Sequence, residues 1–310
     1  MKKKLLLIGG FLFIMSCSNN NKPIDYGELK IHDIYAFLDF EKTEFSPIFT
    51  NNEYKETLTY NYDKNLINID EEKCLIEAKK VGECEVKVTS EHFNTTFKVK
   101  VENLDLTDPS YTVKEEWQNR VKNFTYDYSI NGTNDKSTVF IGDSFFDTGF
   151  WSNFYDTYYG KDCLLYGIGS TTTYTWETLA KTFFNVIQPK NIVINCGTNT
   201  VYDIDKNKDE TASSIQRMLI LIHKAVPNAN IYYFTITQRT YTGASECYPI
   251  VNYANEFSLN FGEGKSWLKV LDIREKINWL MLRDGIHPAV EHYDVFVNAL
   301  NEAGIKIEDI

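Results

Sequence analysis

The sequence predicts an all-β unit followed by an α/β domain, and two rhythms along the chain carry that prediction. From about Ile24 to Glu102, short runs alternate apolar and polar residues with a period of two. Such alternation, broken by turn residues, marks half-buried antiparallel strands. From Ser137 onward, short apolar runs alternate with amphipathic stretches of helical length. That pattern predicts a parallel sheet covered on both faces by helices. A length of 310 residues accommodates both units.

The chain opens on Lys2, Lys3 and Lys4, followed by an apolar run from Leu5 to Met15. The run is too short to span a bilayer, which takes about 20 apolar residues, but it has the form of a signal peptide. It ends in Ile14-Met15-Ser16-Cys17, which resembles the bacterial lipobox. The resemblance implies a signal peptide over 1–16, a lipidated Cys17 as the mature N-terminus and a polar tether over 17–23. The plainer alternative is an ordinary signal peptide with a chance cysteine. The expectation is export and lipid anchoring to a bacterial membrane, at the cell surface or in the periplasm. A net charge of -11 repels both nucleic acid and anionic lipid. No nucleic-acid partner is expected, and the membrane is reached through the lipid on Cys17.

The all-β unit covers 24–102. Its clearest strands are Leu58–Tyr62, Glu83–Val88 and Thr96–Val101, and its size suits a small β-sandwich. The half from Leu66 to Val101, with Gly82 and a final V-x-V strand, resembles bacterial immunoglobulin-like domains. That resemblance brings no catalytic residue with it. Cys84 alternates with Val86 and Val88, so it faces a core. Cys74 and Cys84 are either a disulfide or two free thiols, since sequence does not set connectivity. A connector over 103–136 holds a turn at Asp108-Pro109-Ser110 and a short helix from Tyr111 to Asn123, with Trp117 and Val121 on one face.

The α/β domain covers 137–310. Its strands are expected at Val139–Ile141, Cys163–Tyr166, Asn191–Asn195, Ile231–Ile236 and Leu268–Leu271. Helices are expected near 148–158, 173–187, 209–225, 248–262 and 291–303. In such sheets, ligands and catalytic residues gather at the carboxyl ends of the strands.

Four short blocks fall at those ends or in a late loop. They are Gly142-Asp143-Ser144-Phe145, Gly167-Ile168-Gly169-Ser170-Thr171, Gly197-Thr198-Asn199 and Asp284-Gly285-Ile286-His287-Pro288. Each has a plain structural reading: a helix-capping serine, a glycine turn, a capping asparagine, an Asp-Gly turn. Jointly, in this order, they resemble the SGNH (GDSL-like) hydrolases, over about 140 to 290. The resemblance implies a flavodoxin-like fold and a serine ester hydrolase. By position, Ser144 takes the nucleophile's place, His287 the general base's, and Asp284 the group that orients the imidazole. The oxyanion hole would use the N–H of Ser144, the N–H of Gly167 and the side-chain amide of Asn199. The second block departs from the family pattern, with Leu165 where many members have asparagine, which leaves Gly169 as a rival to Gly167.

The chemistry needs these residue types. A serine hydroxyl is a poor nucleophile until a base removes its proton, and histidine titrates near the working pH. His292 is the other histidine near the late loop. Asp284 and His287 could also ligate a metal, but no third ligand of suitable spacing accompanies them, so no metal and no cofactor are expected. Phe145, Phe146, Phe150, Trp151, Tyr155, Thr172, Tyr174, Trp176, Arg239 and Tyr241 follow the blocks and could form an aromatic rim for sugars or fill the core. The expected substrate is an acylated glycan or similar small ester losing an acetyl or other short acyl group. A lipase or lysophospholipase is the alternative within the class. An inactive glycan-binding lipoprotein is the alternative outside it.

Overall fold

A computed structural model describes residues 24–132, 137–147 and 163–305. The signal segment with Cys17, the tether and the helix expected near 148–158 lie outside the described residues.

The first strands in chain order are β1 (Leu29–Lys30), β2 (Ile34–Phe37), β3 (Thr43–Glu44), β4 (Ile48–Phe49), β5 (Thr59–Asn61), β6 (Ile67–Asp70), β7 (Leu75–Ala78), β8 (Gly82–Thr89) and β9 (Asn94–Glu102). They form a four-stranded sheet ordered β2-β9-β8-β5, a three-stranded sheet ordered β3-β7-β6 and a β1-β4 pair. β2 runs parallel to β9, and the other pairs are antiparallel. The period of two holds in β8: Cys84, Val86 and Val88 are buried, while Glu83, Glu85, Lys87 and Thr89 face water. The sheets meet over Phe45, whose ring stacks on Phe97 at 5.4 Å and meets Tyr60 edge-on at 5.6 Å. Cys74 and Cys84 are both free thiols, so the disulfide reading does not hold in this structure.

The connector helix α1 (Glu115–Asn131) is longer than its periodicity predicted. Tertiary contacts extend it. Phe124 stacks on Tyr166 at 4.7 Å, and the Tyr166 hydroxyl donates to Asp127 at 2.6 Å.

The second domain contains β10 (Thr138–Gly142), β11 (Cys163–Leu165), β12 (Asn191–Asn195), β13 (Asn230–Phe234) and β14 (Leu268–Leu271). All pairs are parallel, in the order β11-β10-β12-β13-β14. This is the flavodoxin-like order, whose direction of winding reverses beside the first strand. The helices are α2 (Thr173–Phe184), α3 (Thr198–Tyr202), α4 (Lys208–Ala225), α5 (Tyr248–Gly262) and α6 (Asp294–Glu302). Alternate strand residues feed two cores. Val139, Ile141, Ile192, Ile194 and Ile231 pack with residues of α2, α4 and α5. Phe140, Val193 and Phe234 pack with Phe296 and Leu300 of α6.

The all-β unit is docked against the second domain. β2 is an edge strand, and an edge leaves backbone groups unpaired. The Gln216 side chain of α4 closes it: the Tyr35 N–H donates to Oε1 at 3.1 Å, and Nε2 donates to the Tyr35 carbonyl at 2.7 Å. The Tyr35 ring meets Phe257 of α5 edge-on, and one apolar core runs through both units.

Candidate active site

β10 delivers its serine by a close approach between strands. Gly142 has φ +127°, and a Cβ there would lie 1.8 Å from the Asn195 carbonyl oxygen of β12, so only glycine fits. Asp143 then donates its N–H to that carbonyl at 3.0 Å. Its carboxylate accepts from the Phe145 N–H at 3.1 Å, capping the 3₁₀ turn Ser144–Phe146. The cap is therefore Asp143, which leaves the Ser144 hydroxyl for another partner.

That partner is His287, not His292. Ser144 Oγ lies 2.7 Å from His287 Nε2, and His287 Nδ1 lies 2.7 Å from Asp284 Oδ2. The other Asp284 oxygen accepts from the N–H groups of Ile286 (2.9 Å) and His287 (2.7 Å), a tight turn made with Gly285 at φ +79°. An ionised carboxylate only accepts, so Nδ1 carries the proton and Nε2 is left as acceptor for the serine hydroxyl. Burial pushes the His287 imidazole below its usual pKa, although Asp284 pulls it back up. Burial opposes ionisation of Asp284, but the bonds from His287 and Ile286 outweigh it and hold its carboxyl low. A neutral imidazole beside an ionised carboxylate is what a general base requires.

The donor side departs from expectation. The Gly167 N–H donates to the Phe146 carbonyl at 3.2 Å. Its small size serves packing, since a Cβ would lie 2.3 Å from the Phe146 carbonyl carbon. The Gly169 N–H is taken by Asp147 at 2.7 Å. Ser170 follows at φ +64°, exposed, and its N–H has no acceptor among the described residues. A left-handed serine costs roughly 1–2 kcal/mol, and no sequence signal marked it. Asn199, on α3, is buried. Its Nδ2 donates to the Thr171 carbonyl at 2.9 Å, leaving one amide hydrogen, and its Oδ1 accepts from Arg239 at 2.6 Å.

Solved structures share this architecture. A Bacteroides fragilis protein described as an acylhydrolase matches with a TM-score of 0.51 at 20% identity, covering 61% of this chain and 97% of its own. A GDSL-like lipase from Bacteroides thetaiotaomicron matches with a TM-score of 0.51 at 18% identity, covering 60% and 97%. The second domain has the SGNH hydrolase fold. No family model matches the chain, and no curated protein sequence matches it.

Two braces around the SGNH-fold site were not marked by the sequence. Arg120 of α1 forks onto Asp147 at 2.5 and 3.0 Å and also donates to the Gly167 carbonyl at 3.1 Å. Asp147 in turn holds the Gly169 N–H, so the connector fixes the serine turn and the glycine loop together. Asp147 lies three residues past Ser144, which was the available hint. Arg120 lies on a helix whose pattern singled out only apolar positions.

The expected aromatic rim is mostly core. Phe145, Phe146 and Trp176 are fully buried, Tyr174 is buried, and Thr172 caps α2 in a capping box with Thr175. Phe150, Trp151 and Tyr155 lie outside the described residues. Tyr241 is 42% exposed, with the Arg239 guanidinium 6.0 Å from its ring centre. A cavity of about 640 Å³ lies nearby, lined in part by Thr237, Gln238, Thr240, Tyr248, Asn252 and Leu282. Thr240 joins it to the histidine loop by donating its N–H to the Gly285 carbonyl at 2.8 Å. Among the described residues, no group of three or more His, Cys, Asp or Glu is placed to hold a metal, and no helix is long and apolar enough to cross a membrane.

Proposed function

We propose that the second domain is a serine esterase that removes acetyl or other short acyl groups from a carbohydrate or similar ester. The bonded chain Ser144–His287–Asp284 at the carboxyl edge of the sheet carries this reading. Ser144 Oγ attacks the acyl carbon as its proton passes to His287 Nε2. Asp284 keeps the ring in the right tautomer and stabilises the imidazolium. The tetrahedral oxyanion is received by the free amide hydrogen of Asn199, the Ser170 N–H and the Ser144 N–H. The alcohol leaves with the imidazolium proton. Water, deprotonated by His287, then attacks the acyl-enzyme and releases the carboxylic acid and Ser144.

The preference for a glycan is supported by the exposed Tyr241, whose ring can lie against the apolar face of a sugar. The adjoining cavity adds hydroxyl and amide groups, from Thr237, Gln238, Thr240 and Asn252, beside an apolar wall that includes Ile236, Ile277 and Leu282. On the same reading, Cys17 carries the lipid anchor and the all-β unit, with its likeness to immunoglobulin-like domains, spaces the enzyme from the membrane.

The test is turnover of p-nitrophenyl acetate, butyrate and a long-chain ester by protein from residue 22 onward, beside its Ser144→Ala variant. Loss of the serine should lower kcat by about 10,000-fold or more, and turnover should fall as the acyl chain lengthens. Equal rates for the two proteins would overturn the esterase reading. Rates that rise with chain length would replace the short-acyl specificity with a lipase's.

A further inference from the structure

We propose that Arg239 is a positioning residue of the oxyanion site, acting through the side-chain amide of Asn199. The inference rests on the esterase reading for its catalytic consequence, but the geometry stands without it. An asparagine amide presents a donor at one end and an acceptor at the other, and the two ends have nearly the same shape. The wrong orientation would aim a carbonyl oxygen at a developing anion, so something must choose between them.

The choice is made by partners that can play only one role each. Arg239 has donors and no acceptor, and its Nη2 lies 2.6 Å from Asn199 Oδ1. The Thr171 carbonyl has no donor, and it lies 2.9 Å from Asn199 Nδ2. Turning the amide over would set oxygen against carbonyl oxygen and NH₂ against guanidinium. Arg239 is held rigidly for this purpose. Its Nε donates to Thr198 Oγ1 at 3.1 Å and its Nη1 to Asp203 at 2.7 Å. These two residues flank Asn199 in sequence, so one guanidinium plane fits the whole of α3. From the other side, the Arg239 carbonyl accepts from the Tyr248 hydroxyl at 2.8 Å, and its ring partner Tyr202 lies 4.8 Å away. A buried arginine fixed at three points and turned onto a neutral amide has no need of that amide for its charge, because Asp203 already pairs with it.

The experiment compares Arg239→Met, Asn199→Ala and the double variant in the full exported protein. Asn199→Ala should lower kcat on p-nitrophenyl acetate by about 100- to 1000-fold. Arg239→Met should lower kcat by about 10- to 100-fold, since the amide is then free to turn and spends time misdirected, with KM changed less than about threefold. In the Asn199→Ala background the same substitution should change kcat by less than about twofold. A full additional loss in that background would overturn the proposal, because Arg239 would then be acting on something other than Asn199. Arg239→Lys keeps one donor and should fall between wild type and Arg239→Met; it also serves as the second variant should the methionine protein fail to fold. A readout without turnover separates this inference from the esterase reading. In asparagine-labelled protein, the Asn199 Nδ2 protons should exchange with solvent at least about tenfold faster in Arg239→Met than in wild type. Unchanged exchange would sink the positioning role even in a fully active enzyme.

Discussion

The helix layer and the carboxyl edge of the sheet each bury an arginine, and the two are used differently. Arg217, on α4, reaches across to Glu177 of α2. Its guanidinium forks onto Glu177 at 2.8 and 3.1 Å, with a third bond to Ser213, and both partners are almost fully buried. Arg239 at the sheet edge is buried as deeply, but the side chain of its carboxylate partner Asp203 is 46% exposed. Its remaining arm goes to a neutral amide rather than to a second carboxylate oxygen alone. Where both charges are out of water, the pair holds helices together. Where the counter-charge stays in water, the arginine is free to aim a neighbour. Depth of burial does not separate the two roles; the exposure of the partner does.

The sharpest way to break that comparison is to remove each arginine and read stability and rate together. Arg217→Met leaves Glu177 buried without its counter-ion, which typically costs about 3–5 kcal/mol. Urea unfolding should show that loss, while kcat per folded molecule stays at the wild-type value. If kcat instead falls with stability intact, the helix-layer arginine is also aiming something, and the distinction fails.

Asp284→Asn tests the edge from the other side of the serine. The asparagine keeps the shape of the Asp284 turn but no longer favours the protonated Nδ1 or the imidazolium. We expect kcat to fall by about 100-fold, less than for a fully buried orienting carboxylate, because the Asp284 side chain is 41% exposed. The melting temperature should move little. A large melting shift with modest loss of rate would reassign Asp284 to the turn rather than to the imidazole.

How much of this was legible beforehand follows the same division. The strands and helices came from patterns that repeat, period two and helical stripes, whereas the flavodoxin-like order and the roles of Ser144, His287 and Asp284 came from the likeness of four short blocks to the SGNH hydrolases. The donor side was not legible in this way, because a backbone N–H has no letter in the sequence. Gly167 invited the donor's role by being a glycine, yet its missing side chain is needed where it passes Phe146. Ser170 has the N–H without an acceptor among the described residues, and a serine is not expected at positive φ. Arg239 was noticed only as a neighbour of Tyr241, since its function lies in contacts with Thr198, Asn199 and Asp203 from a distant part of the chain. The long α1 and its Arg120 brace were hidden for the same reason.

A smaller effect is expected at the seam between the two units. Gln216→Ala strips both partners from the Tyr35 backbone on the edge of β2, and a buried unpaired group costs about 1–3 kcal/mol. Unfolding measurements should register it without any change in kcat. Deleting 24–102 enlarges the same lesion, exposing the Gln216 amide and the Phe257 face. Such a truncation should lose stability first, and whatever remains folded should still hydrolyse short esters. A folded truncation with no activity would show that the all-β unit contributes to the site.

The smallest effect is a pH dependence with two separable sources. His287 acts as a base only when neutral, and burial lowers its pKa from 6.5. The acid limb of kcat/KM should therefore have its midpoint below 6.5, with activity rising through it and level above. Asp143 titrates separately: burial raises its carboxyl from 3.8 to about 7, and its Oδ2 has no hydrogen-bond partner among the described residues. A carboxyl that holds its proton more tightly when folded contributes stability that is full below about pH 4, its unfolded value, and is lost as pH rises through about 7. Asp143→Asn keeps an oxygen to cap Phe145 and removes that titration. The stability difference between wild type and this variant should thus move against wild type between about pH 4 and pH 7, while the acid limb of the activity profile stays in place. A limb that shifts in Asp143→Asn would mean that the carboxyl beside the serine, and not the imidazole alone, sets the protonation state on which turnover depends.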